Sequence, residues 1–416
     1  MITDEMKSYR NTIKYKVESM DILFENGDIE SIDSGMVQHL YIEKDFDNLY
    51  FPIINISVVI KDELYHRINK ENETVQFRLK IIKNIYDLSN KLEKYELFCN
   101  KLFRFFKDKQ TVIEDNEQLN DKKSIEGEES TNLRSNARDF YLFTDDVIKC
   151  KKMFNLSVKD ADLTDLIIYL IGDSGIKNLL MSKLDNNEHI SDLIIPNGNL
   201  IETITYLNEL KGLYKKGLLL FFDINCAYLI DKNCYCTSWR KNEIRITHVH
   251  VANQKSSDSQ LNGQFINKDR KQTHLFTHTN RIQITNKNIL NDQINGNDIT
   301  VINSKSNNIT NIKTDSTQIG KANKKLVCTK TDNQYTISSI ETRMVEDECV
   351  CVVSFIGIDI DTISPNKEII LTYEDPDLNK KYSGSYRIVK VVSQLRKDAE
   401  ELVGEIQVTM KKQKHE

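Results

Sequence analysis

Proline and glycine are scarce in this chain: 4 and 14 of them in 416 residues. Collagen-like, mucin-like and glycine-linker architectures are thereby excluded. Tryptophan occurs once, and the eight cysteines stand at 99, 150, 226, 234, 236, 328, 349 and 351. That is too sparse for a disulfide scaffold of this size and fits synthesis in a reducing compartment. Long apolar runs are missing too. Leu166–Ile171 and Leu218–Phe222 fall far short of the roughly 20 residues that cross a bilayer, so no membrane insertion is expected. The opening Met1–Lys7 has no basic stretch followed by an apolar one, so no secretory signal is expected. Charge of one sign is not in excess either: 57 Lys and Arg against 62 Asp and Glu leave a net charge of -5. A protein whose main task is wrapping nucleic-acid backbones needs a basic surplus.

What is present reads as a β-rich chain of about two to four domains. Ile13, Tyr15 and Val17 alternate with Lys14, Lys16 and Glu18, the period of a half-buried strand. Val37–Phe46 is extended, and Ile54, Ile56, Val58 and Ile60 alternate after Pro52, which suits a strand start. Asp62–Asn69 is a short helix. Val75, Phe77, Leu79 and Ile81 form the cleanest strand, and Tyr95–Phe106 is a further one. Residues 1–106 thus read as a small closed or sandwich-like β domain. The stretch 107–137 is almost wholly polar and reads as a loop or linker.

Residues 138–238 carry the helical patterns. Phe140–Phe143 reads as a strand and Asp145–Phe154 as a short helix. Asp160–Ile171 has Leu163, Leu166, Ile167 and Leu170 at helical spacing, and Ile176–Leu184 is a shorter helix. Pro196–Asn199 is a turn before a helix over Leu200–Leu213. Gly217–Asp223 and Ala227–Asp231 then form an apolar hairpin packed on those helices. Ile244–Val251 is a strand, and the region 239–320 is irregular polar β structure. Residues 321–416 read as a second small β-barrel with strands at Tyr335–Ile340, Cys349–Ile356, Glu368–Tyr373, Gly384–Gln394 and Leu402–Met410. The fold class is mainly β (α+β).

Motifs for catalysis are weak. Gly172-Asp-Ser-Gly175 lacks the spacing and the lysine of a phosphate cradle. Gly384-Ser-Tyr386 lies in a strand-rich segment and not at a nucleophile elbow. Metal-ligand pairs exist at Cys234/Cys236, His248/His250, His274/His278 and Cys349/Cys351. Structural zinc more often spaces its cysteines further, and Cys349 and Cys351 read as small buried hydrophobes beside Val350, Val352 and Val353. The carboxylate pairs Asp145/Asp146 and Asp359/Asp361 read as turn residues, with no aromatic subsite beside them. No catalytic, cofactor-binding or metal residue is assigned, and no cofactor is expected.

One ordered series is more specific. It comprises Ala161-Asp-Leu-Thr-Asp165, Ile194-Ile-Pro-Asn-Gly-Asn-Leu200, Tyr206-Leu207, Leu213-Tyr-Lys-Lys-Gly217, Leu220-Phe-Phe-Asp223 and Tyr228-Leu-Ile230. Together it resembles the middle of baseplate hub proteins of tailed phages, the group that includes the late-control D proteins and the hubs of contractile tails. Leu40-Tyr-Ile-Glu-Lys-Asp-Phe46, Phe51-Pro-Ile-Ile-Asn-Ile56, Gly384-Ser-Tyr-Arg-Ile-Val-Lys390 and the strand Glu405–Met410 are similar to the barrels of such hubs.

The resemblance implies two tail-tube-like β-barrels with an inserted helical and mixed subdomain. It further implies a structural virion protein of the tail baseplate, assembled in the host cytoplasm, and not an enzyme. Its partners would be two more copies in a homotrimer, the tail tube protein, a central spike or tip protein and other baseplate proteins. DNA would pass through its channel without specific binding. The alternative readings are a receptor- or carbohydrate-binding tail component, or a hub with attached cell-wall hydrolase activity.

Overall fold

In the computed structural model of the protein, residues 10–71, 74–87, 89–105, 135–232, 349–367 and 369–413 are described. So are the strand segments 244–248, 263–267, 272–277, 280–284, 298–303, 309–313 and 325–329. The N-terminal part comprises β1 (Arg10–Leu23), β2 (Ile29–Ile32), β3 (Val37–Asp45), β4 (Ile53–Lys61), α1 (Asp62–Glu71), β5 (Gln76–Tyr86), β6 (Leu92–Phe105) and β7 (Ser135–Thr144). An insert follows with α2 (Asp146–Cys150), β8 (Met153–Asp162), α3 (Leu163–Asp173), β9 (Leu179–Met181), β10 (His189–Asn199), α4 (Leu200–Lys211), β11 (Leu218–Phe222) and β12 (Ala227–Asp231). Then come β13 (Ile244–His248), β14 (Gly263–Asn267), β15 (Gln272–Thr277), β16 (Asn280–Ile284), β17 (Asp298–Asn303), β18 (Ile309–Lys313) and β19 (Lys325–Thr329). The chain closes with β20 (Cys349–Ile356), β21 (Ile369–Tyr373), α5 (Pro376–Tyr382), β22 (Gly384–Asp398) and β23 (Glu401–Lys412).

The alternation expected in β1 holds as far as Val17, where Ile13, Tyr15 and Val17 are buried. Met20 and Ile22 then take over on the opposite parity. The pairing with β5 shifts between Val17 and Ser19, and such a bulge turns the following side chains to the other face. Pairings β22–β3, β3–β4, β4–β7, β7–β6, β6–β5, β5–β1, β1–β23 and β23–β22 return to their start. These eight strands close a barrel, which leaves no sheet edge along its circumference.

β22 and β23 serve two barrels at once. Lys390–Arg396 of β22 pair with β3, whereas Tyr386, Ser385 and Gly384 pair with β21. In β23, Leu402 pairs with Tyr15 of β1, while the residues from Glu405 to Lys411 pair with β20. The second barrel runs β16–β20–β23–β22–β21–β13–β15–β14, with β13 parallel to both neighbours and with β14 pairing with β1 rather than with β16 among the described residues. The two cores merge, so Ile13 and Phe103 belong to the same buried cluster as Phe355 and Tyr386. At the crossing, a Cβ on Gly404 would lie 1.8 Å from the Gln394 carbonyl oxygen. Glycine is required there for close backbone approach.

The insert has its own core, built by α3, α4, the β8–β10 ribbon and one face of the β11–β12–β9 sheet. Leu163, Leu166, Ile167, Leu170 and Ile171 of α3 are buried in it. Its helix begins at Leu163 and not Asp160, because Ala161 and Asp162 still pair with Ile190 and His189. α4 starts on a capping box, with Glu202 N–H donating to Asn199 Oδ1 (3.0 Å) and Asn199 N–H to Glu202 Oε2 (2.8 Å).

Three local expectations are corrected. Pro196–Asn199 is not a turn: it ends β10, and Pro196 falls in a register shift between Ile195 and Gly198, where its missing N–H is tolerated. The helix expected over Ile176–Leu184 is instead the short strand β9, which pairs parallel with β12 and satisfies that strand's backbone. Asp145–Phe154 is helical only over Asp146–Cys150, since Met153 already opens β8 opposite Asn199. The expected hairpin is β11–β12. The strand expected at Tyr335–Ile340 lies outside the described residues.

Candidate functional site

Three parts of the chain, the N-terminal strands, the insert and the closing strands, converge on the turn that joins β3 to β4. β11 explains why. Leu219 and Phe221 face the barrel core, whereas Leu220 and Phe222 face the insert core. A strand buried on both faces reads as the continuous apolar run Leu218–Phe222. Phe46 meets Phe221 edge-to-face at 4.7 Å between centroids, and Phe51 stacks on Phe222 at 5.3 Å. The Phe222 N–H donates to the Tyr50 carbonyl at 2.8 Å.

Charged residues fix the same turn. Arg387 of β22 donates to both oxygens of Asp47, at 2.9 and 3.0 Å, the bidentate geometry that favours arginine. Lys232, just after β12, lies 3.1 Å from Asp47, and Lys411 of β23 lies 3.8 Å away. Burial pushes the Asp47 carboxyl up, but Arg387 and the two lysines outweigh it and hold its pKa at about 2. Lys44 donates to Asp223 at 2.8 Å, with side chains only 3% and 9% exposed. Breaking a pair buried so deeply leaves an uncompensated charge.

A second node binds the loop after β20 to the first barrel. The Tyr15 hydroxyl donates to Asp359 Oδ1 (3.2 Å) and accepts from the Ile360 N–H (2.8 Å). Lys83 lies 2.7 Å from Asp359, 3.7 Å from Asp361 and 3.8 Å from Glu96. Burial raises the pKa of Asp361, with Asp359 and Asp223 adding to it against Lys44 and Lys83. Burial lowers that of Lys367, which donates to the Thr362 carbonyl at 2.8 Å. The turn after β11 is fastened to β6 in turn: Asn225 Nδ2 donates to the Phe98 carbonyl at 2.9 Å, and Lys101 donates to the Ile224 carbonyl.

The carboxylate pairs singled out from sequence are engaged by lysine and arginine side chains. Asp359 caps a single helical turn, Ile360–Thr362, that contains Asp361, and both carboxylates lie near Lys83. Asp145 pairs with Arg104 at 3.1 Å and Asp146 with Lys149 at 2.6 Å. Cys349 and Cys351 lie inside the second barrel, with sulfurs 3.9 Å from the Tyr386 hydroxyl and 3.7 Å from the Tyr373 hydroxyl. Burial pushes the Cys351 thiol up to about 11, so the thiolate a metal needs is disfavoured. Cys234, Cys236, His250 and His278 lie outside the described residues, as do the side chains of His248 and His274. Gly384-Ser-Tyr386 opens β22, and Ser385 is buried. Sequence reasoning missed Asp47, Asp223 and Lys44, since each partner stands far away along the chain.

What this arrangement does chemically is hold parts together. No group of three or more metal-ligating side chains occurs among the described residues, and no described helix is long and apolar enough to cross a membrane.

The fold has solved counterparts. It is similar to the tail protein from Neisseria meningitidis MC58, with a TM-score of 0.52 at 10% identity, covering 97% of each chain. It is also similar to a chain of the Francisella PdpA–VgrG complex in its lidded form. There the TM-score is 0.51 at 12% identity, over 97% of this chain and 53% of that one. No curated protein matches the sequence. The profile of one family matches residues 7–413, nearly the whole length, and the chain therefore belongs to the family described as Bacteriophage PBS1 gene 109 protein.

Proposed function

We propose that this chain is a structural subunit of a phage tail baseplate, a hub in which three copies surround the tail axis. The observation that carries the reading is the pair of barrels fused through β22 and β23. Two barrels per subunit in a trimer present six barrels, so one ring meets a sixfold tube on one side and a threefold spike on the other. Shared strands suit such a platform, because load passes from one barrel to the next through continuous backbone. The likeness in fold to a tail protein over 97% of both chains supports a place in the tail. The partners under this reading are the tail tube, a central spike or tip and neighbouring baseplate proteins, with DNA leaving through the channel.

A channel wall that bound DNA would slow its exit, so channel-facing side chains are expected to be neutral or acidic. The reading is tested by light scattering on the purified full chain, alone and with tube and spike proteins. Trimers, or rings formed on those partners, are expected. A stable monomer that ignores both and binds glycans would overturn it in favour of a receptor-binding component. Cell-wall zymography with a cleared zone would instead mark a hydrolase.

A further inference from the structure

His189, exposed at the start of β10, places both ring nitrogens against carboxylates. Its Nδ1 lies 3.0 Å from Asp162 Oδ1 and its Nε2 lies 3.0 Å from Asp160 Oδ1. A neutral imidazole has one N–H, and its other nitrogen is an acceptor facing an acceptor. Both contacts are hydrogen bonds only when both nitrogens carry protons.

The backbone around the ring adds to this. Asp160 has φ +56°, in the left-handed region that L-residues seldom occupy. Asp162 is the N-cap of α3 and has extended dihedrals, yet its side chain makes no capping bond. Asn187 fills that role, its Oδ1 accepting from the Thr164 N–H (3.1 Å) and hydroxyl (2.6 Å). The imidazole therefore holds the end of β8 and the entrance to α3 against β10.

We propose that His189 is a proton-controlled latch: as an imidazolium it ties Asp160 and Asp162 to the β10 edge, and on losing a proton it releases one of them. The neighbouring charges favour the closed form. Asp160 and Asp162 face the ring from β8, where Lys159 precedes them, and Asp165 lies in the first turn of α3. Glu188, adjacent in the chain, is engaged by Lys211 of α4 at 2.6 Å. Hydrogen bonds to Asp162 and then Asp160 raise the His189 pKa above its ordinary value. With the folded pKa raised, the latch is fully closed below the unfolded value of about 6.5 and is lost as pH rises through the folded one. It acts on the insert, because α3 contributes five buried side chains there.

The test is a pH titration of the full chain with isotope-labelled histidine, read by NMR, with the resonance missing from His189→Gln assigned to this ring. Its midpoint is expected above about 6.5, and Asp162→Asn should move it down. Hydrogen exchange of amides 159–165, corrected for intrinsic rate, should rise at the same midpoint in the wild type and show no step in His189→Gln. A midpoint at or below the ordinary value would overturn the latch. So would one unmoved in Asp162→Asn, or exchange that follows the same pH profile in both proteins.

Discussion

The two barrels are joined to each other by shared strands, and the insert is joined to them mainly by side chains, with a backbone hydrogen bond from Phe222 to Tyr50. Between the barrels, β22 and β23 run through both sheets and the apolar core is continuous. Between barrel and insert lie two aromatic contacts, a two-faced strand, the ion pairs Lys232–Asp47 and Lys44–Asp223, and hydrogen bonds at Tyr50, Phe98 and Ile224. Shared strands cannot separate without breaking ladders of hydrogen bonds, whereas a docked subdomain is held by packing and charge that single substitutions reach. The barrels are therefore expected to unfold as one unit, with the insert as the weaker element.

The sharpest break of the first kind of joint is Gly404→Ala. Its Cβ would fall on the Gln394 carbonyl, so a loss on the order of 4 kcal/mol, or failure to fold, is expected in denaturant titration. A fall of a few tenths would mean that the crossing is looser than described.

β11 allows the barrel–insert joint and the insert's own core to be compared one residue apart. Phe221→Ala and Phe222→Ala should each cost about 3–5 kcal/mol. Proteolysis should distinguish them: with Phe221 truncated the insert loosens from an intact barrel, and with Phe222 truncated its own core opens first. Identical cleavage patterns would show that barrel and insert cores melt together.

Lys44→Met should cost about 3 kcal/mol, because it strands Asp223 in a buried site, and adding Asp223→Leu should recover most of it. A double variant no better than the single one would mean that the lysine acts through packing.

Acid addresses the Asp47 node. Its folded pKa of about 2 lies below the ordinary carboxylate value, so its contribution is complete above about pH 4 and is lost as pH falls toward 2. That contribution is about 2 kcal/mol, and Asp47→Asn should flatten this part of the pH–stability profile. The smallest effect is expected at Asp361, whose raised pKa means that its ionised form is disfavoured in the fold. Asp361→Asn should leave the melting temperature at neutral pH unchanged or slightly higher, and a clear drop would reveal a pairing with Lys83 stronger than 3.7 Å implies.

Most strands were legible because alternation is a local signal. Lys14, Lys16 and Glu18 face outward between Ile13, Tyr15 and Val17 whatever the strand pairs with. α3 was equally readable from Leu163, Leu166, Ile167 and Leu170. β9 was not, since a short apolar stretch takes its form from the strand beside it. The Asp47 node was hidden for a related reason. Arg387 lies 340 residues away from it, and no local pattern marks an aspartate that tertiary contacts will bury.

By itself, the sequence determined the β-rich class, the apolar hairpin at β11 and β12, and a resemblance to tail baseplate proteins of phages. Tertiary structure alone decided that β22 and β23 belong to both barrels, that Gly404 must lack a side chain, and that Asp47 joins three parts of the chain. Periodicity encodes which face of an element is buried. What that face is buried against, and which distant charge completes a pair, depends on register and closure, which arise only when the whole sheet assembles.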